Sequence, residues 1–536
     1  MDRCAATLLD FGIPRTQVKT WRRLACGVFL AGAAWAQPNL DDVVKRTLTA
    51  FDVPGMAVGI IQDGKVILAK GYGVRKLGDP APVTEKTLFG IASNTKAFTS
   101  AALAMLVEEK KIDWDQRVID VLPWFQMSDP YVSREMRIRD LLVHRSGLAL
   151  GAGDLMIFPD GDLTAREILK RLRYVPLSTS FRSTYAYDNI LYIVAGAVIE
   201  QASGKSWAEF IQQRIFQPLG MTRSRTNVNQ VAAGEDLAWP HAPDNGQLRV
   251  VERTRVEPAA PAGAIQSSVD EMLKWVSMQL NRGEYPGGRL FSTAQSNEMW
   301  TPQIFMPIPS QYPKELAALK PDFQGYALGW VAYDPHGERV IYHTGGLNGM
   351  VTRVTLVPAK KLGIVVLTNQ QESGAFNAVT MTILDHYLGL PATDWVSAYD
   401  AVRKRQLKEA EEVVSKASEQ RNNSSKPSLP LSKYAGRYRD PWYGDVLVSE
   451  ENGKLRMRFT HSPQLTGTME HYQFDTFIAR WDDRSQDADA YVTFSLNADG
   501  QVERVKMKAV SPLTDFSYDF HDLVLTPAPK EAPAYD

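Results

Sequence analysis

The chain predicts an α+β fold followed by a separate all-β domain. Apolar strand pairs bracket a largely helical middle, in the order hairpin, helices, hairpin, helix. That order suits one antiparallel sheet completed from both ends, with helices packed on it and a helical lobe inserted between. After a polar linker the composition changes to short alternating Tyr/Phe/Val runs, the pattern of a small barrel or curled sheet. The 536 residues also exceed what one ordinary core organises, so two domains are expected.

Residues 1–36 read as an export signal. Arg22 and Arg23 precede a small apolar run from Leu24 to Trp35, and Ala34-Trp35-Ala36 is an A-x-A cleavage pattern. The run is too short to cross a membrane, so no stable membrane insertion is expected. Both cysteines, Cys4 and Cys26, lie in this presequence. The mature chain is therefore expected to be exported, periplasmic or secreted, without a disulfide, thiolate metal site or cysteine nucleophile. A net charge of −1 gives no reason to expect nucleic acid as a partner.

Residues 37–392 make the first domain. Leu40 to Phe51 reads as a helix. Residues 56–62 and 65–73 are apolar strands joined at Asp63-Gly64, a strong hairpin signal. Thr95 to Glu109, Asn189 to Glu200, Trp207 to Ile215 and Val269 to Asn281 are apolar or amphipathic helices. Thr226 to Ser267 is loop-like. Residues 351–357 and 363–369 form the second strand pair, and Ala375 to Leu388 the following helix. Residues 393–430 hold a charged helix, Ala401 to Ala417, and the polar linker Glu419 to Pro430. The linker predicts that the first domain folds without residues 430–536. Residues 431–528 carry the runs DVLVSE, KLRMRF, TFIARW, AYVTFSL and VERVKMK, and 529–536 are a Pro/Ala-rich tail expected to fray.

Three clusters carry candidate chemistry. Ser93 and Lys96 stand three apart at the start of a helix, on one face. A lysine amine held there can take the serine proton if its pKa is lowered; the alternative is a plain N-cap serine. Tyr187 and Asn189 immediately precede an apolar helix. They supply a phenol for proton relay and an amide for substrate, or else a core ring and a helix cap. Tyr185 is a near-duplicate, and Tyr187 is preferred for its spacing to Asn189. His343-Thr344-Gly345-Gly346 places a glycine pair beside a strand, where a ligand can approach the backbone closely, or forms a simple turn. His144 reads as part of a structural turn. No H-E-x-x-H or compact Asp/His cluster is present, so neither metal nor cofactor is expected.

Together the three clusters resemble the signature set of penicillin-binding proteins and β-lactamases. The order S-x-x-K, Y-x-N, H-T-G is most similar to the class C β-lactamase and D-alanyl-D-alanine carboxypeptidase branch. The hairpin from Pro54 to Gly73, Leu141 to Leu148, and Pro218-Leu219-Gly220-Met221 extend the likeness across residues 40–390. The resemblance implies a β-lactamase/transpeptidase-like sheet with an appended lipocalin-like barrel of the kind found on relatives that cut D-residue peptides. It implies Ser93 as acylated nucleophile, Lys96 as its activator and Tyr187 as proton shuttle. Asn189, His343 and Thr344 would touch substrate, and the Ser93 and Gly346 N–H groups would form the oxyanion hole. His343 departs from the lysine of β-lactamases. An unperturbed histidine titrates near pH 6.5, so the expectation is a carboxylate-binding switch between pH 8 and 6. The implied function is peptide or amide hydrolysis on a small peptide substrate. The alternatives are a carboxylesterase with the same residues and a non-catalytic penicillin-binding-like module.

Overall fold

A computed structural model describes residues 39–528. The expected signal peptide, its cleavage site, both cysteines and the expected frayed tail lie outside the described residues. The chain opens with helix α1 (Leu40–Ala50), then strands β1 (Gly55–Gln62), β2 (Lys65–Lys76) and β3 (Asp79–Pro82). Asp63 and Gly64 both take positive φ (48° and 74°), as a two-residue hairpin turn requires. Helices α2 (Thr95–Glu108), α3 (Ile190–Ser203) and α4 (Val269–Leu280) follow. Strands β4 (Ile304–Phe305), β5 (Gln324–Tyr326), β6 (Val331–Tyr333), β7 (Val340–Leu347), β8 (Met350–Val357) and β9 (Leu362–Thr368) then precede α5 (Ser373–Leu388) and α6 (Trp395–Glu419).

The nine strands form one antiparallel sheet in the order β4-β5-β6-β7-β8-β9-β1-β2-β3. The two chain segments meet in the middle, where β1 runs against β9 from Met56 opposite Thr368 to Gln62 opposite Leu362. Both faces of this centre are covered. Met56, Val58 and Ile60 join Val44 of α1 and Ala375, Phe376 and Val379 of α5 in one apolar cluster. Ala57 and Ile61 belong to the other cluster, with α2, α3 and α4. Burial on both faces explains why these strands read as continuous apolar runs rather than alternating ones. Gly59 lets α4 lie directly on the sheet, since a Cβ there would stand 2.6 Å from the Val269 side chain.

Helix α2 is buried at every position from Thr95 to Leu106. A helix apolar all round must run through the interior, and α2 does so. Its Phe98 stacks on Trp275 of α4 with ring centroids 3.8 Å apart. The loop-like reading of residues 226–267 needs correction. The segment contains a short strand pair, His241–Asp244 with Gln247–Val250, and a helical turn at Ala260–Gly263.

The second sheet comprises β10 (Gly436–Asp440), β11 (Gly444–Glu451), β12 (Lys454–Phe459), β13 (Thr466–Gln473), β14 (Thr476–Trp481), β15 (Ala490–Leu496), β16 (Val502–Ala509) and β17 (Thr526–Pro527). Its order is β16-β15-β14-β13-β12-β11-β10-β17. Val505 and Leu525 exchange backbone hydrogen bonds of 2.8 and 3.2 Å, which nearly closes the sheet into a barrel. Trp442, Trp481, Phe459, Tyr434 and Tyr443 fill it.

The barrel packs closely against the first domain despite the linker. The described residues fall in one compact unit, and a single apolar cluster runs from α2 and α3 into the barrel. Buried Arg171 donates to the carbonyls of Trp442 and Tyr443. Ser462 donates to the Leu155 carbonyl at 3.2 Å. Asp519, fully buried, accepts the N–H groups of Gly153 and Leu155 at 2.7 and 3.1 Å. Composition marks where the chain crosses between sheets, but a buried interface holds the two together.

Candidate active site

Ser93 sits on a single 3-10 turn, Ala92–Asn94, that feeds directly into α2. Ala92 adopts φ +49°, a left-handed conformation that costs a non-glycine residue of order 1 kcal/mol. The surroundings hold it there. Ile91 donates its N–H to the Ile265 carbonyl at 2.9 Å. The Thr352 hydroxyl on β8 donates to the Ile91 carbonyl at 2.9 Å and accepts from the Asn94 amide at 2.9 Å. Strand β7 presses on the same turn. A Cβ on Gly345 would stand 2.3 Å from the Ile91 carbonyl oxygen. The glycine pair thus admits close backbone approach, by the Ser93 turn at Gly345. A Cβ on Gly346, by contrast, would meet open space.

Lys96 is fully buried one turn into α2. Its Nζ lies 3.2 Å from Ser93 Oγ, 2.6 Å from Asn189 Oδ1 and 3.1 Å from the Ala262 carbonyl. Burial brings the amine down to about 7, against the pull of the Asp154 and Asp188 carboxylates. A neutral amine has two N–H groups and one lone pair. The two carbonyl-type oxygens take the N–H groups, which leaves the lone pair for the Ser93 hydroxyl. An amine so placed can accept the serine proton.

Asn189, just before α3, is oriented from behind: its Nδ2 donates to Asp154 Oδ2 at 2.8 Å. Tyr187 places its ring centroid 4.8 Å from Lys96 Nζ. Burial pushes its phenol well above the usual value, and a hydrogen bond with the Ser93 side chain opposes that rise. Tyr187 therefore stays a phenol at neutral pH and can give a proton. Tyr185 also lines the cavity, but Tyr187 is the ring against Ser93 and Lys96. His144 is more than a turn residue. It is buried with its ring centroid 4.2 Å from that of Tyr187, and burial lowers its pKa.

His343 does not have the environment expected of a switch. It is buried, Nε2 pairs with Tyr326 Oη at 2.8 Å, and Nδ1 pairs with the Thr344 carbonyl at 2.6 Å. Burial, helped by the Lys96 charge, holds its pKa down at about 3. Both ring nitrogens are engaged within the protein and the ring is neutral throughout the physiological range.

These groups share one cavity of about 750 Å³, lined by Ser93, Tyr187, Asn189, His343, Thr344 and Gly346. The barrel supplies part of the wall through Gln464, Gln486, Leu513 and Phe516. Phe516 packs edge-on to Tyr187, centroids 5.8 Å apart. Asp154, Ala262, Tyr326 and Thr352 were not foreseeable as parts of the site. No motif or spacing to Ser93 marks them.

The family described as Beta-lactamase matches residues 40–387. The chain belongs to the beta-lactamase family. A domain of unknown function (DUF3471) matches residues 420–527, the barrel region. Similar proteins include the unguisins hydrolase ungD of Aspergillus violaceofuscus, 28% identical over 479 residues and 82% of each chain. The unguisins hydrolase ungD' of Aspergillus campestris is 30% identical over 443 residues, covering 78% of this chain and 79% of its own. Among solved structures, the octameric penicillin-binding protein homologue from Pyrococcus abyssi superposes with a TM-score of 0.58 at 24% identity, covering 88% of this chain and 97% of that one. That likeness speaks to fold alone. Family membership supports a serine-hydrolase-type activity, and the substrate is a separate question. Among the described residues, no helix is long and apolar enough to cross a membrane.

Proposed function

We propose that this family member is exported and is a serine hydrolase that cleaves peptide or amide bonds through an acyl-enzyme on Ser93. The observation that carries the reading is the buried Lys96 amine, depressed to about 7 and 3.2 Å from Oγ of the cavity-lining Ser93. In this mechanism Lys96 takes the Ser93 proton as Oγ attacks the substrate carbonyl. The Ser93 and Gly346 N–H groups stabilise the oxyanion. Tyr187 gives its proton to the leaving amine and recovers one from Lys96. Water then reverses the sequence and frees the acid. Asn189 and Thr344 hold the substrate. Two relatives are named as hydrolases of unguisins, and the cavity has the size of sites that enclose drug-sized ligands. Both fit a substrate larger than a minimal acyl group, and linear or D-residue-containing peptides are the class proposed here.

Within the family the H-T-G form resembles the D-alanyl-D-alanine carboxypeptidase branch, yet His343 offers no charge for a substrate carboxylate. Arg253 is the one Lys or Arg among the described cavity-lining residues, and it lies over the Trp239 ring at 4.3 Å. This favours uncharged scissile neighbourhoods, either internal peptide bonds or, as a second reading, esters. The KM ratio of a free-carboxylate peptide to its amide is therefore expected to stay flat between pH 8 and 6, measured where single-turnover work shows that KM reports binding. A ratio that falls with pH would restore the switch at His343.

Fluorophosphonate labelling followed by peptide mass spectrometry tests the reading. The expected result is one adduct, on Ser93, and a chain that stays unlabelled or is labelled elsewhere overturns it. Turnover of linear L-peptides, D-residue peptides, p-nitrophenyl esters and a chromogenic cephalosporin then ranks substrates. The base form of Lys96 is the active one. Hence kcat/KM for a neutral ester should rise about tenfold per pH unit below about 7 and level off above it.

A further inference from the structure

The polar groups behind Lys96 do not end at the first sheet. Asp154 is buried on the turn after Gly153, and its Oδ2 accepts from two sides: Asn189 Nδ2 at 2.8 Å and the Ser517 hydroxyl at 3.1 Å. Asp519 grips the same turn by its backbone, through the N–H groups of Gly153 and Leu155 that flank Asp154. Ser517 and Asp519 both come from the segment between β16 and β17, some 360 residues beyond Asp154 in sequence. The other buried carboxylate near Lys96 is Asp188, and it makes no such link: its Oδ1 accepts from Leu191 N–H at 3.3 Å.

An amide side chain has one donating and one accepting end. With Asp154 Oδ2 in front of Nδ2, Asn189 must turn Oδ1 toward Lys96. If the Asp154 turn shifts, only the Lys96 N–H to Asn189 Oδ1 is left of the two bonds that set that choice, and a flipped amide would present N–H groups to the neutral lysine amine. The lone pair would then turn from Ser93 to the amide. Resting on the reading of Ser93 and Lys96 above, we propose that Ser517 and Asp519 of the barrel are positioning residues. They act through Asp154 to fix the Asn189 amide, and through it the Lys96 amine, against Ser93. The barrel is thereby part of the catalytic apparatus as well as a wall of the cavity.

The test compares full-length wild type with Asp154→Asn, Ser517→Ala and Asp519→Asn. Asp162→Asn serves as control, since it loosens the same interface at the 2.7 Å pair with His461 but touches neither the cavity lining nor the network. Two readouts are taken: the rate of Ser93 fluorophosphonate labelling against pH, and deuterium exchange across residues 150–158. In Asp154→Asn the expected labelling rate at pH 8 falls about tenfold or more, as misplacement of a catalytic group costs. Its pH profile should simplify, because burial pushes the Asp154 carboxyl up to about 8, so wild type carries a second group titrating beside Lys96 that the amide lacks. Asp519→Asn should show a similar fall with faster exchange at 150–158. Ser517→Ala, which removes one hydroxyl, should lose a few-fold. The control should match wild type in both readouts. Labelling within twofold of wild type in Asp154→Asn and Ser517→Ala, with an unchanged pH profile in Asp154→Asn, would overturn the proposal, even if Asp519→Asn fails to fold. If wild type itself takes no label on Ser93, the reading of the active site fails instead. Unchanged exchange in a folded Asp519→Asn would then also remove the link from barrel to turn.

Discussion

Replacing Ser93 with alanine is expected to lower kcat/KM by about a thousandfold or more, with an unchanged melting curve. The turn that presents Ser93 is held by Ile91, Thr352 and Asn94, and none of those bonds uses the serine hydroxyl. Loss of function without loss of fold is thus the specific signature. Retention of a tenth of wild-type activity would exclude Ser93 as nucleophile. Lys96→Ala should be comparably inactive but also less stable. It leaves Asn189 Oδ1 and the Ala262 carbonyl, both now paired with the amine, without a partner. Buried polar groups stranded in this way cost about 1–3 kcal/mol each. Rapid-quench measurement of the acylation step separates the two effects, since destabilisation alone lowers the amount of active enzyme and not its rate constant.

Removing residues 431–528 is expected to yield a chain that is poorly soluble or melts well below wild type. Where soluble, it should hydrolyse even a small ester on the order of a hundredfold more slowly. The deletion takes away Asp519 and Ser517 together, removes the Trp442 and Tyr443 carbonyls that Arg171 donates to, and opens the apolar surface continuous with α2 and α3. Peptide substrates should suffer more than the ester, because Gln464, Gln486, Leu513 and Phe516 leave the cavity wall. Thermal unfolding and a matched ester/peptide assay check both parts. A stable, monodisperse truncation with full esterase activity would return the barrel to the status of an independent appendage.

The contrast between these two experiments mirrors the limits of what the chain reveals by itself. Ser93 with Lys96, and Tyr187 with Asn189, are local pairs whose spacing is enforced by a single helix or its first residues. Their meeting was implied only by the family resemblance, and the folded chain realises it through the packing of α2 and α3. The central strands were equally legible, since burial on both faces leaves an unbroken apolar run. The short strands Gln324–Tyr326 and Val331–Tyr333 were not, because three residues do not establish a period. Asp154, Ser517 and Asp519 are single polar residues whose contacts span more than 360 positions, and nothing local distinguishes them from solvated loop residues. His343 shows the opposite error. Its motif was visible, but its protonation depends on Tyr326 and on burial, which only the folded chain supplies.

The sheet's closure of β1 against β9 also imposes a timetable. Strand β1 ends at residue 62 and β9 begins at residue 362, so the ribosome adds roughly 300 residues between them, about 15–60 s of synthesis at typical bacterial and eukaryotic speeds. Throughout that interval the first hairpin has an apolar strand with one edge unpaired, the kind of edge that recruits other chains. The last contact to form is later still. Asp519 reaches the Gly153–Leu155 turn only when all but the final few described residues have emerged. Synthesis thus delivers Ser93 and Lys96 early and the barrel contacts of the Asp154 turn last.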